Sequence, residues 1–336
     1  MQQARARLLA LRRTIAAPLQ RLARRWGPPT PGRFALGRKS SLHGFISVAP
    51  APPWRDYLLY VPRGLDRIAR PALVVWIHGC RQDPEAFAEG TRIARFADER
   101  GFLVLLPRQT WIANSQRCWN WFDRRTARGL GETMIVAAQA TEVMQKFRVD
   151  RRRVYLAGLS SGGALAATLA LRAPQLFAAA AFHSGVACGA ASDASGAQRV
   201  MAQGPRDGTD AVAAQARTDA AEEVHVPALI IQGTADTTVA PVNATFLVRQ
   251  FLLLNGLPLN ELPPGAALPP AHHSATVQHA GRYVLVDYRA RGRLAARLVT
   301  IEGLGHAWSG GDAKLPYFDE REPDATRLIC DFFRSH

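Results

Sequence analysis

Five short apolar runs, each closed by a turn residue, restrict what this 336-residue chain can fold into. They are "ALVVWIHG" (72–79), "GFLVLLP" (101–107), "RVYLAG" (153–158), "FAAAAFHSG" (177–185) and "PALIIQG" (227–233). A run that is apolar on both of its alternating faces suits a strand covered from both sides. Residues 85–100, 131–147, 161–173 and 241–255 carry the longer spacing of helices. Strands and helices in this succession build a mostly parallel central sheet with helices on both faces, an α/β fold in a single domain. Upstream, "HGFISVAP" and "RDYLLYVP" alternate apolar with polar residues, as an antiparallel edge does. Residues 257–278 are rich in Pro and Ala with little periodicity and read as an irregular surface excursion.

Charge is distributed unevenly. The net charge is +15, and nine arginines plus Lys39 precede residue 40 with no acidic residue among them. Ten of the fifteen excess charges therefore belong to an appendage, so residues 1–39 read as a basic extension and 40–336 as the folded domain. A solvated extension is the simpler reading of that segment. A basic amphipathic helix lying on an anionic surface, a polymer granule or an acidic partner is the alternative. No nucleic acid partner is expected, since the excess is not spread over the domain. No run approaches the roughly 18 apolar residues of a membrane span, and Arg12 and Arg13 interrupt the most apolar N-terminal segment. Cys80, Cys118, Cys188 and Cys330 show neither a CxxC nor a Cys/His cluster with zinc spacing, so neither metal nor cofactor is expected.

The run "VYLAGLSSGG" holds the chemistry. A serine hydroxyl is a weak nucleophile until a base takes its proton. G-x-S-x-G between a strand and a helix meets this need, because the two glycines permit a tight turn that projects the hydroxyl. Gly158, Ser160 and Gly162 fit that pattern and Ser161 does not. The helix would begin at Ser161, whose free amide points to a role as an oxyanion donor. In the chain order Ser, Asp, His, an acid should follow a later strand and a histidine should lie near the C-terminus. Asp236 in "IIQGTADTTVAP" and His306 in "TIEGLGHAW" fill both places. The second oxyanion donor is assigned to the Cys80 amide in "VVWIHGC", with His78 holding that loop.

These stretches, "IHGCRQDPEAFAEGT", "QRCWNWF", "GLSSGG", "GTADTTVAPVNA" and "GLGHAWSGG" followed by "EPDATRLICDFF", resemble the polyhydroxybutyrate depolymerase family of esterases from about residue 43 to the end. The resemblance implies an α/β-hydrolase fold and a Ser-His-Asp triad at Ser160, His306 and Asp236. It also implies attack on poly(3-hydroxybutyrate), related 3-hydroxyalkanoate polyester or oligomers, with feruloyl, acetyl or general short-chain carboxylic esters as the alternative. A rival from another class is a non-catalytic granule- or membrane-binding protein on a vestigial hydrolase fold. Trp119 and Trp308 are expected to wall an acyl-binding cleft. The resemblance further implies that Cys80 and Cys118 lie close together, either bridged or as two buried free thiols. No secretory signal is recognisable, which favours the cytoplasm, with or without granule association, over the extracellular location of many members.

Overall fold

A computed structural model of the chain describes residues 32–40, 54–206, 208–220, 224–269, 275–280 and 282–336. The strands are β1 (Arg33–Ser40), β2 (Trp54–Val61), β3 (Ala72–Ile77), β4 (Phe102–Pro107), β5 (Val154–Leu159), β6 (Ala179–His183), β7 (Ala228–Gly233), β8 (Ala275–Ala280), β9 (Tyr283–Ala290) and β10 (Arg293–Ile301). They form one sheet in the order β1-β2-β4-β3-β5-β6-β7-β10-β9-β8. The middle, from β4 to β10, is parallel, and hairpins close it antiparallel at both edges.

Period-two alternation assigns each central strand to two cores. In β5, Val154 and Leu156 face one core while Tyr155, Ala157 and Leu159 face the other. The first core is completed by α4 (Gly131–Phe147), α5 (Ser161–Arg172), α7 (Thr209–Asp219) and α8 (Val242–Leu254). The second is completed by α1 (Pro84–Thr91), α2 (Ile93–Arg100) and α9 (Ala325–Arg334). Two further helices, α3 (Arg124–Ala127) and α6 (Ala194–Gln203), contribute no residue to either core. Local sequence sets several boundaries. Pro84 opens α1 after Asp83, whose carboxylate accepts from the Ala86 amide, and Asp324 does the same for Arg327 at the start of α9.

Three expectations need correction. Residues 33–39, read as part of the basic extension, lie in β1, which pairs along β2 from Arg33 opposite Val61 to Ser40 opposite Trp54. Residues 1–31 of that extension and the run 43–50 lie outside the described residues. The helix read over 85–100 is two helices, because Arg92 takes a left-handed conformation (φ 56°). The excursion read over 257–278 ends in β8.

Candidate active site

Three strand ends assemble the site. β5 ends at Leu159, and the chain turns at Ser160 with φ 56° and ψ −120° before α5 begins. A non-glycine residue keeps such a conformation only where its surroundings enforce it. Here the Ser160 amide donates to the His183 carbonyl at the end of β6 (2.9 Å), and the Ser160 carbonyl accepts from Ala164 (2.9 Å). The glycines supply the space. A methyl on Gly158 would meet the Gly162 backbone at 2.4 Å, and one on Gly162 would meet the carbonyl oxygens of Ile77 and His78 at 2.3 and 2.4 Å. Without them, the first turn of α5 could not press against the end of β3. Although Ser160 occupies the N-cap position of α5, its hydroxyl makes no capping bond.

That hydroxyl turns instead to His306, whose Nε2 lies 2.9 Å from Ser160 Oγ and whose Nδ1 lies 2.8 Å from Asp236 Oδ2. Asp236, in the turn after β7, is buried, and its Oδ1 accepts from the amides of Thr238 (3.0 Å) and Val239 (2.8 Å). Burial pushes its carboxyl up, but the His306 hydrogen bond and charge and the Val239 amide outweigh that and hold it below the usual carboxylate value. An ionised carboxylate against Nδ1 keeps the proton there and leaves Nε2 to accept from the serine.

The loop after β3 runs directly beside the serine: a methyl on Gly79 would sit 3.5 Å from Ser160 Cβ. The Gly79 amide donates to Gln82 Oε1 (2.8 Å) and the Arg81 amide to the Gln116 carbonyl (2.7 Å). Between them, the Cys80 amide has no acceptor among the described residues, and neither does that of Ser161 at the head of α5. Two amides without an internal acceptor therefore lie beside Ser160, the arrangement from which an oxyanion could be held. Cys80 and Cys118 form a disulfide, the first of the two alternatives weighed above, while Cys188 and Cys330 are free and buried. The Ser161 side chain also contributes, its oxygen accepting from the Trp119 amide (3.3 Å).

Trp119 and Trp308 do not wall a cleft. Both indoles are fully buried, Trp119 donating to the His78 carbonyl (3.1 Å) and Trp308 to Thr326 Oγ1 (3.0 Å). An indole whose N–H finds an internal acceptor is better placed in a core than at a wet surface. Trp308 stacks on His183 and meets Trp76 and Phe87 edge-on. His78 and His183 are likewise fully buried, and burial lowers them to about 4 and about 3. Both therefore stay neutral and serve as scaffolding: His78 Nε2 accepts from the Gln109 amide (3.2 Å), and His183 Nε2 accepts from the Ser309 amide (3.4 Å), three residues beyond His306. Gln82, Gln109 and Glu132, which complete this scaffold, have no motif that would mark them. Among the described residues no group of acidic, His and Cys side chains could hold a metal ion.

A serine at a strained strand-to-helix turn, with an imidazole and a carboxylate arriving from later strand ends, defines an α/β-hydrolase fold. In agreement, an acetyl xylan esterase structure from Aspergillus awamori superimposes with a TM-score of 0.64 at 22% identity, over 81% of this chain and 94% of that one. Residues 55–261 match the family described as esterase PHB depolymerase, and the chain belongs to that family. It is 33% identical to feruloyl esterase B of Neurospora crassa over 46% of this chain and 51% of that protein. It is 31% identical to poly(3-hydroxyalkanoate) depolymerase C of Paucimonas lemoignei, over 59% and 48% respectively. The matched region thus spans about half the length of these relatives.

Proposed function

We propose that the protein hydrolyses carboxylic esters through an acyl-enzyme on Ser160. His306 Nε2 takes the serine proton as Oγ bonds to the ester carbonyl carbon, and the resulting oxyanion is held by the Cys80 and Ser161 amides. Collapse breaks the ester bond, and the imidazolium returns the proton to the leaving alcohol. Water then enters by the same route, giving its proton to His306 and releasing the acid and free serine. Asp236 fixes the imidazole and balances its charge without itself being protonated. The observation that carries this reading is the continuous Asp236–His306–Ser160 chain, at 2.8 and 2.9 Å.

For the substrate we propose 3-hydroxyalkanoate polyester or its oligomers, a reading supported by family membership and by the depolymerase relative. A second reading, feruloyl or acetyl esters, is supported by the feruloyl esterase relative and by an acetylxylan esterase A of Emericella nidulans, 30% identical over 64% of this chain and 69% of that one. A panel of 3-hydroxybutyrate trimer, amorphous polymer, methyl ferulate and acetylated xylo-oligosaccharide separates the two. Preference for the hydroxybutyrate substrates by kcat/KM supports the first, and preference for ferulate or acetyl groups refutes it. We also propose that the Arg-rich segment before β1 tethers the enzyme to an anionic surface. Deleting residues 1–31 should abolish salt-sensitive binding to anionic vesicles or granules, and unchanged binding refutes the tether.

A further inference from the structure

A buried ion pair that no step of hydrolysis uses lies behind the oxyanion loop. Arg55 of β2 and Glu132 in the first turn of α4 are 77 residues apart, both almost fully buried, with Arg55 Nη2 3.3 Å from Glu132 Oε1. Taking two charges out of water is costly, and a pair kept inside is anchored by further hydrogen bonds. The side-chain bonds of Glu132 run to Gln109 and Asn120, at the two ends of one segment, as well as to Arg55. Glu132 accepts from the Asn120 backbone amide (2.7 Å), from Asn120 Nδ2 (3.0 Å) and from Gln109 Nε2 (2.5 Å). Gln109 Oε1 accepts from Arg55 Nε (2.8 Å) and from the Thr110 amide (2.9 Å), while Gln109 Nε2 also donates to the Cys118 carbonyl (3.0 Å).

Two paths lead from this hub to the oxyanion donors. One is covalent, from Cys118 through the disulfide to Cys80. The other passes from the Gln109 amide to His78 Nε2 (3.2 Å), and from His78 Nδ1–H to the Gly79 carbonyl (2.7 Å), immediately before the Cys80 amide. The Asn120 backbone, pinned by Glu132, also follows Trp119, whose amide donates to Ser161 Oγ and whose indole donates to the His78 carbonyl. Both proposed oxyanion amides are thus braced from the same carboxylate.

We propose that Glu132 is a positioning residue that sets the Cys80 and Ser161 amides at the distance the tetrahedral oxyanion requires, a role that rests on the serine-esterase reading above. It touches no substrate and acts through Gln109, Asn120 and the disulfide. The Glu132→Gln side chain keeps the shape but turns one acceptor oxygen into a donor facing N–H groups, so one arm of the hub must open.

The test is the rate at which a fluorophosphonate modifies Ser160, because the phosphoryl oxygen occupies the oxyanion position, read together with kcat and KM for 4-nitrophenyl acetate. Removing a whole oxyanion donor costs about 10²–10³-fold in kcat, so displacing one should slow both phosphonylation and kcat by at least about tenfold with KM unchanged. The paired variant Arg55→Met/Glu132→Met removes both charges without leaving one unpaired and serves where the single variant does not fold. It should show the same loss. Variants that label and turn over at wild-type rates, whatever their Tm, overturn the proposal alone. A wild-type protein that does not label overturns the serine reading and this one with it.

Discussion

Replacing Gly162 by Ala tests how closely α5 must approach β3 for the site to form. The added methyl would lie 2.3 Å from the Ile77 carbonyl oxygen and 2.4 Å from that of His78, both backbone atoms at the end of a buried strand. Ordinary contact requires about 1 Å more, and neither neighbour can rotate away as a side chain could. The first turn of α5 must therefore lift from the 78–80 loop, carrying the Ser161 amide away from that of Cys80. A displacement of about 1 Å in a catalytic constellation costs about 10²-fold in rate, and forcing a methyl into a filled site costs about 1–3 kcal/mol of stability. Steady-state kinetics on 4-nitrophenyl acetate together with thermal unfolding measure both effects. A Gly162→Ala variant within threefold of wild-type kcat and with unchanged Tm would refute the reasoning. Gly305, where a methyl meets nothing within 4 Å, is the control for stability and should tolerate Ala without loss of Tm.

Other outcomes follow from the same structure. The two buried neutral histidines make the fold acid-sensitive: their folded values of about 4 and about 3 lie below the unfolded 6.5, so their contribution is present above pH 6.5 and is lost as pH falls below it. Between pH 7 and pH 5 each should cost about 2 kcal/mol, and equal urea-unfolding stability at the two pH values would contradict this. Trp308→Phe should lower Tm through loss of the Thr326 hydrogen bond and core volume while leaving KM unchanged; a rise in KM alone would restore a substrate-facing role. Reduction of Cys80–Cys118, which closes a loop across a separation of 38 residues, should destabilise the protein by up to about 4 kcal/mol, measured by unfolding with and without reductant.

The parallel strands were legible in the sequence because both of their faces are covered, which leaves continuous apolar runs such as "ALVVWI". The hairpins at the far edge were less so. In β9 and β10 the apolar run is broken by Asp287, Arg289 and Arg297, and Asp287 and Arg297 pair with each other across the strands. In β1 the charges of Arg38 and Lys39 made strand residues look like part of the basic extension. That Ser160, Asp236 and His306 meet in space could be expected from their order and flanking glycines, because each follows a strand whose end is marked. The two tryptophans could not be placed this way. Aromatic residues beside a motif are equally suited to a core, and only three-dimensional acceptors such as the His78 carbonyl and Thr326 decide between them. The Arg55–Glu132 pair left no signal, because its members are distant in sequence and ordinary in composition.

The most direct test of the central assignment is the hydrolysis of 4-nitrophenyl acetate by wild type and by Ser160→Ala at matched Tm. Wild-type turnover that falls by about 10⁴-fold or more in the variant is the expected result. Turnover retained by Ser160→Ala would contradict the assignment of Ser160 as the nucleophile.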